Sequence, residues 1–151
     1  MMHGELEQKV RKFFSKAIDL LLGEEENALL QMVRKEERRI VELISYSARR
    51  VNSEEHGTYG DGVKVKKPKP YRGSTADTKV QVSVPSFGLM EYHLSFLCSG
   101  KKANIVVGIQ GYQYGLQKNI FDLVEEGLIR LGYKKERISG DFIRYEKTLV
   151  T

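Results

Sequence analysis

Apolar and polar residues alternate along three consecutive segments in the second half of the chain, and this alternation limits the possible folds. The segments are TKVQVSV (78–84), MEYHLSFLC (90–98) and ANIVVGI (103–109). Successive side chains of a strand point to opposite faces, so a period of two predicts strands with one face toward a core. The turn residues 99–102 predict a hairpin between the last two segments. We therefore expect a small, mainly antiparallel sheet.

The first third of the chain has helical periodicity instead. Apolar residues recur at steps of three and four between Glu5 and Leu22, and Gly23 follows where a helix is expected to end. A second stripe of the same period runs from about Glu25 to Val51. The pattern predicts two amphipathic helices, as an antiparallel hairpin or as one bent helix.

Helix and strand patterns alternate again at the end of the chain. Helical spacing extends from Leu116 to Leu131, with Gly132 as the predicted C-terminal cap, and residues 141–150 alternate as a strand does. We expect an α+β fold, in which an N-terminal helical hairpin precedes the mainly antiparallel sheet. One further helix is expected between the last strands, with the helices packed on one face of the sheet.

The chain has 151 residues, the length of a single domain, which we place at 1–151. It divides into a helical section (5–51), a flexible basic loop (52–78) and a sheet-plus-helix section (79–151). The loop holds glycines and prolines but almost no large aliphatic residue except Val63 and Val65. These two valines alternate with lysines, which predicts a short edge strand.

Composition narrows the class of protein. The net charge is +5, which favours a polyanionic partner. No apolar run approaches the ~18 residues of a membrane span, so we expect no membrane partner. The first nine residues include Glu5, Glu7 and Lys9 and do not resemble a secretory signal, and Cys98 is the single cysteine. These features predict a cytoplasmic protein.

Positive charge is concentrated between residues 64 and 79, where six Lys or Arg residues accompany one acid, Asp77. Flexible basic segments neutralise phosphates, and a tyrosine ring can stack on an unpaired base. The alternative is a solvated tether whose charges protect an edge strand. We predict nucleic-acid contacts here, aided by cations elsewhere. The predicted contact residues are Lys64, Lys66, Lys67, Lys69, Tyr71, Arg72, Lys79, Arg49, Arg50, Lys101 and Lys102.

A glycine-spaced turn, GIQGYQYGLQKN (108–119), lies between a predicted strand and a helix. Backbone amides at a helix N-terminus attract anions, so a small phosphorylated ligand could bind at Gly111, Tyr112, Tyr114 and Gly115. The spacing matches neither the dinucleotide fingerprint nor the phosphate loop. The alternative is a tight turn with no ligand.

No catalytic or metal-binding signature is present, and we expect no catalytic residue, metal or cofactor. His93 and Cys98 fall on opposite faces of one predicted strand, which disfavours a catalytic pair. The acids Glu91, Asp141 and Glu146 lack the spacing of a metal-dependent nuclease.

The segment 33–50 mixes basic residues with Glu36, Glu37 and Glu42 at spacings that allow ion pairs along a helix. This mixture is typical of a solvated helix face or of an oligomer contact.

The basic segment leads to the predicted function, which is that of a non-catalytic, nucleic-acid-binding or nucleic-acid-associated accessory protein that uses a flexible basic arm. One alternative is a protein-interaction or assembly subunit that forms contacts, including those of a homo-oligomer, through the N-terminal helices. The other is a small domain that binds a phosphorylated ligand.

Overall fold

The computed structural model describes residues 28–54, 62–66, 75–85, 88–110, 115–139 and 142–151. Helix α1 covers residues 28–54, and a second helix lies between the fourth and fifth strands. The remaining elements are β1 (Lys64–Lys66), β2 (Thr75–Val84), β3 (Gly88–Ser99), β4 (Lys102–Gln110), α2 (Gly115–Arg130), β5 (Lys134–Ser139) and β6 (Phe142–Val150).

The six strands of the described residues form one antiparallel sheet in the order β1-β2-β3-β4-β6-β5. Strands β2, β3 and β4 follow one another as a meander. The β3–β4 turn contains Gly100 with φ of 61°, a backbone conformation that favours glycine. The β5–β6 hairpin then joins the meander through β6, which pairs with β4.

One face of the sheet is buried beneath both helices. Valines on β2, Met90 to Phe96 in alternate positions on β3, and the alternate apolar residues of β4 are almost completely inaccessible. Removal of this apolar area from water is the main favourable contribution to folding. The helices approach each other closely at Gly127, where an added Cβ atom would lie 2.3 Å from Cδ1 of Leu43. The helical residues of this core are Leu29, Val33, Ile40, Val41, Ile44, Ala48, Val51, Ile120, Phe121, Val124 and Leu128.

A buried carboxylate connects α1 to the sheet. Glu36 is 2% exposed, and its Oε1 accepts hydrogen bonds from the Tyr133 hydroxyl at 3.0 Å and from Nζ of Lys147 at 3.1 Å. Nη1 of Arg39 lies 3.6 Å from Oε2 of the same carboxylate. Burial, and then the adjacent carboxylate, raise the pKa of Tyr133. The cluster is thus a satisfied polar site inside a mainly apolar layer.

A second tyrosine–carboxylate pair connects α2 to the sheet. The Tyr145 hydroxyl donates a hydrogen bond to Glu125, which also pairs with Nζ of Lys135 at 2.9 Å. Burial raises the pKa of Tyr145, and the hydrogen bond to Glu125 adds to the effect. Each helix is therefore attached to the β5–β6 hairpin by one charged group as well as by apolar packing.

The α+β class, the antiparallel sheet, the edge strand β1 and the helix α2 are confirmed. The helical hairpin is not confirmed, because residues 1–27, which include the first predicted helix, lie outside the described residues. Two boundaries differ from the prediction: α1 continues to residue 54 rather than about 51, and β2 begins at Thr75 rather than at residue 78. Strand β5 was not predicted.

Gly132 ends α2 in the conformation that the sequence predicts. Its φ is 97°, and Tyr133 N–H and Gly132 N–H donate to the carbonyls of Leu128 and Ile129, each at 3.0 Å, as in a Schellman cap. Gly132→Ala is expected to lower the free energy of unfolding by about 1–2 kcal/mol, because a Cβ is strained at positive φ. Urea denaturation measures the loss. Gly132→Asn should lose less, and an alanine variant as stable as the wild type would contradict this account.

Candidate nucleic-acid interface

The face of the sheet opposite the helices carries the polar positions of the strands. Gln81, Glu91 and His93 are half-buried there, and Lys79 and Ser83 are exposed. These positions alternate with the core residues of β2 and β3, so the period of two fixes their direction. We call this surface the open face.

Three exposed lysines lie together on the open face, at the β1–β2 edge. In the register, Lys64 is opposite Ser83 and Lys66 is opposite Gln81, which places both lysines on the same face as Lys79. Same-face neighbours on adjacent strands are about 7–8 Å apart along the diagonal. Lys66 is such a neighbour of Lys79, and Lys64 lies two residues, or about 7 Å, farther along β1. The three lysines thus form a basic patch along this edge, which we call the edge patch (Lys64, Lys66 and Lys79).

The basic segment of the sequence is continuous with the edge patch. Residues 67–74 connect β1 to β2, directly after Lys66. The predicted contact residues Lys67, Lys69, Tyr71 and Arg72 belong to this connection and lie outside the described residues. The chain thus enters and leaves the basic segment through two strands that pair with each other.

The other predicted contact residues do not join the edge patch. Lys102 is also on the open face, opposite Ser99 of β3. Lys79 is opposite His93, six residues earlier on β3, so the two lysines are about 20 Å apart along the strand direction. Lys101 lies in the adjoining turn. Arg49 and Arg50 are on α1, behind the sheet, where Arg49 donates to Ser45 and Arg50 pairs with Glu54 at 3.3 Å.

An aromatic pair lies next to the edge patch. His93 is directly opposite Lys79, and its ring centroid is 6.4 Å from that of Phe142 at an interplanar angle of 63°. The Phe142 ring lies over Gly108, where an added Cβ would be 2.6 Å from Cζ. Glycine in a buried strand often marks such a close approach. Phe142 was not predicted as a site residue. The sequence feature that could have indicated it is Gly108, a glycine within a strand that leaves room for a ring.

Two acids of the open face, Glu91 and Glu146, are held in hydrogen bonds. Nε2 of Gln81 donates to Glu91 at 3.0 Å, and Nδ2 of Asn104 donates to Glu146 at 2.8 Å. Nη2 of Arg144 lies 3.3 Å from the same Glu146. The β4–β6 half of the face thus balances its charges locally, whereas the edge patch is basic.

The residues considered for catalysis are kept apart by the sheet. Cys98 is opposite Ala103 and packs against the core, whereas His93 is on the open face, so the two lie on opposite faces as predicted. In the part of the chain that the structure describes, no three His, Cys, Asp or Glu side chains are grouped so that they could hold a metal ion. These residues give no basis for assigning a reaction.

The glycine-spaced turn is described only at its end. Gly111, Tyr112 and Tyr114 lie outside the described residues, and Gly115 begins α2 with φ of 65°. This positive φ is a backbone reason for glycine at the position, independent of any ligand.

Among the described helices, none combines the length and the apolar character needed to cross a membrane. Comparisons of the chain with protein-family models, with curated proteins and with solved structures find no match.

Proposed function

We propose that this protein binds nucleic acid, without modifying it, by capturing phosphates at the edge patch and the basic segment that follows it. The observation that carries the proposal is the shared direction of Lys64, Lys66 and Lys79 on one exposed face. Three further cations, Lys67, Lys69 and Arg72, follow in the connecting sequence. A phosphate chain that reaches this edge therefore meets a local excess of positive charge.

Capture of this kind is electrostatic and reads little sequence. Each lysine that neutralises a phosphate releases a condensed counterion, so the affinity falls as the salt concentration rises. Contacts to phosphates position a nucleic acid but carry no base information. We expect low sequence specificity.

The aromatic pair favours a single strand over a duplex. His93 and Phe142 are half-buried, and His93 is on β3, the strand next to that of Lys79. A strand whose phosphates follow the edge patch can place an unpaired base against these rings, and base–aromatic stacking contributes about 1–3 kcal/mol per base. A duplex keeps its bases stacked internally and gains nothing from the rings.

The test is the binding of a labelled single strand, a duplex and an RNA at two salt concentrations. The variant Lys64→Gln/Lys66→Gln/Lys79→Gln is expected to lose affinity for a single strand at least tenfold. Loss of three phosphate contacts should also reduce the slope of log affinity against log salt by about 2. Because all three side chains are exposed, the melting temperature should stay close to that of the wild type.

A matched control removes the same charge elsewhere. Lys118→Gln/Arg130→Gln/Lys134→Gln lowers the net charge equally at exposed positions that are not among the predicted contact residues. Its affinity should fall clearly less than that of the edge-patch variant. Equal losses would mean that only net charge matters, and an unchanged affinity in the edge-patch variant would reject the site.

A further inference from the structure

The outward side of α1 is a second basic surface. Arg34, Lys35, Arg38 and Arg39 are exposed along two turns, and Glu42 is the exposed acid that follows them. Positions 34 and 39 are about 7.5 Å apart along the helix axis, at 1.5 Å per residue. The cations thus form a rigid stripe rather than a flexible arm.

The sequence alone predicts a nearly neutral helix face here, because Glu36 and Glu37 lie among the basic residues. The structure turns Glu36 inward, where it bonds to Tyr133 and Lys147 of the sheet side. Glu37 is half-buried, and its pKa is raised by burial, although Arg34 opposes the shift. Glu36 thus pairs with Arg39, and Glu37 interacts with Arg34, but neither acid is paired with Lys35 or Arg38.

Lys35 and Arg38 are the basic residues of this surface that are most available to a partner. Within the described ranges, neither Lys35 nor Arg38 takes part in an ion pair, whereas Arg39 pairs with the buried Glu36 and Arg50 pairs with Glu54. Arg34 and Arg38 are one turn apart, and Lys35 lies between them on the exposed side. Such a rigid, outward set of cations is complementary to a chain of phosphates.

We propose that the outward face of α1, centred on Arg34, Lys35 and Arg38, is a second phosphate-binding surface. Both helices cover one face of the sheet, and the edge patch lies on the other, so the two surfaces point in opposite directions. One copy of the protein can then hold two segments of nucleic acid and bridge them. This inference rests on the proposed function, since the first segment is the one bound at the edge patch.

Bridging is tested with two short oligothymidine strands, which do not pair with each other. One strand is fixed on beads and the other is fluorescent, and the protein is added at a concentration where light scattering shows a monomer. Wild-type protein should retain the fluorescent strand on the beads. Arg34→Gln/Lys35→Gln/Arg38→Gln should reduce retention at least fivefold while direct binding to one strand falls less than threefold.

Two further variants sharpen the test. Glu42→Gln removes the exposed acid of the stripe and should increase retention, an effect that general destabilisation does not produce. The charge-matched control Lys118→Gln/Arg130→Gln/Lys134→Gln should retain more fluorescent strand than the α1 variant. Because all substituted side chains are exposed, each variant should remain folded. Circular dichroism melting checks this.

The outcomes separate the two proposals. Unchanged retention in the α1 variant would overturn the second surface and leave the edge patch intact. Loss of all binding in the α1 variant, with the edge-patch variant unaffected, would overturn both the bridge and the proposed function at the edge. Absence of binding by the wild type at low salt would reject the proposed function itself, and the bridging inference with it.

Discussion

Replacing Lys147 with methionine is expected to lower the free energy of unfolding by about 3 kcal/mol. Nζ of Lys147 is 3.1 Å from Oε1 of Glu36, whose side chain is 3% exposed. Removal of one partner leaves the other charge buried, and this costs about 3–5 kcal/mol in buried pairs. The Tyr133 hydroxyl and the half-exposed Arg39 remain near the carboxylate, so we place the effect at the lower end of that range.

Urea denaturation of four proteins isolates the interaction. The set is the wild type, Lys147→Met, Glu36→Gln and the double variant, and the double variant should lose at least 1 kcal/mol less than the sum of the single losses. Lys134→Met, at an exposed position of β5, is the control and should change stability by less than about 0.5 kcal/mol. Additive losses in the cycle would show that Glu36 and Lys147 are not coupled.

The second large effect is a loss of stability at high pH. Burial and a neighbouring carboxylate raise the pKa of Tyr133 and of Tyr145 in the folded protein. In the unfolded chain both hydroxyls ionise near pH 10. Below that pH both states hold the protons and the full stability is present. Above it only the unfolded state releases them. Each tyrosine should therefore lower the free energy of unfolding by about 1.4 kcal/mol per pH unit, as the pH rises toward the pKa of the folded state.

Ultraviolet absorbance of tyrosinate measures this titration together with unfolding. Tyr133 and Tyr145 should remain un-ionised until the protein unfolds and then ionise with the transition. Tyr133→Phe/Tyr145→Phe should be less stable at neutral pH but should lose stability less steeply above pH 10, which separates the tyrosines from the titration of lysines. Complete ionisation of all tyrosines while the chain is still folded would contradict this interpretation.

The period-two and helical patterns were sufficient to predict most of the described fold. Val80, Val82, Tyr92 and Leu94 alternate with polar residues, and the structure buries the apolar set. Strand β5, with the sequence KKERIS, was missed because its described side chains are exposed charged residues. Its identity as a strand depends on pairing with β6, which is information that a local pattern does not contain.

The sequence located the basic residues of the candidate site but not their grouping. Whether Lys64 and Lys66 share a face with Lys79 depends on the register of β1 against β2, and a slip of one residue would reverse it. The direction of Glu36 depends on Lys147, which is 111 residues away. Such long-range partners decide which charges remain on the surface.

Strand β4 is the apolar centre of the sheet, yet its two neighbours are made at different times. It pairs with β3 directly after the hairpin turn, but its other partner, β6, follows α2 and β5 in the sequence. During synthesis, β4 therefore exists for a time with a free hydrogen-bonding edge. Free edges pair readily with those of other chains. Nascent or truncated chains that end before β6 thus carry an aggregation hazard that the completed sheet removes.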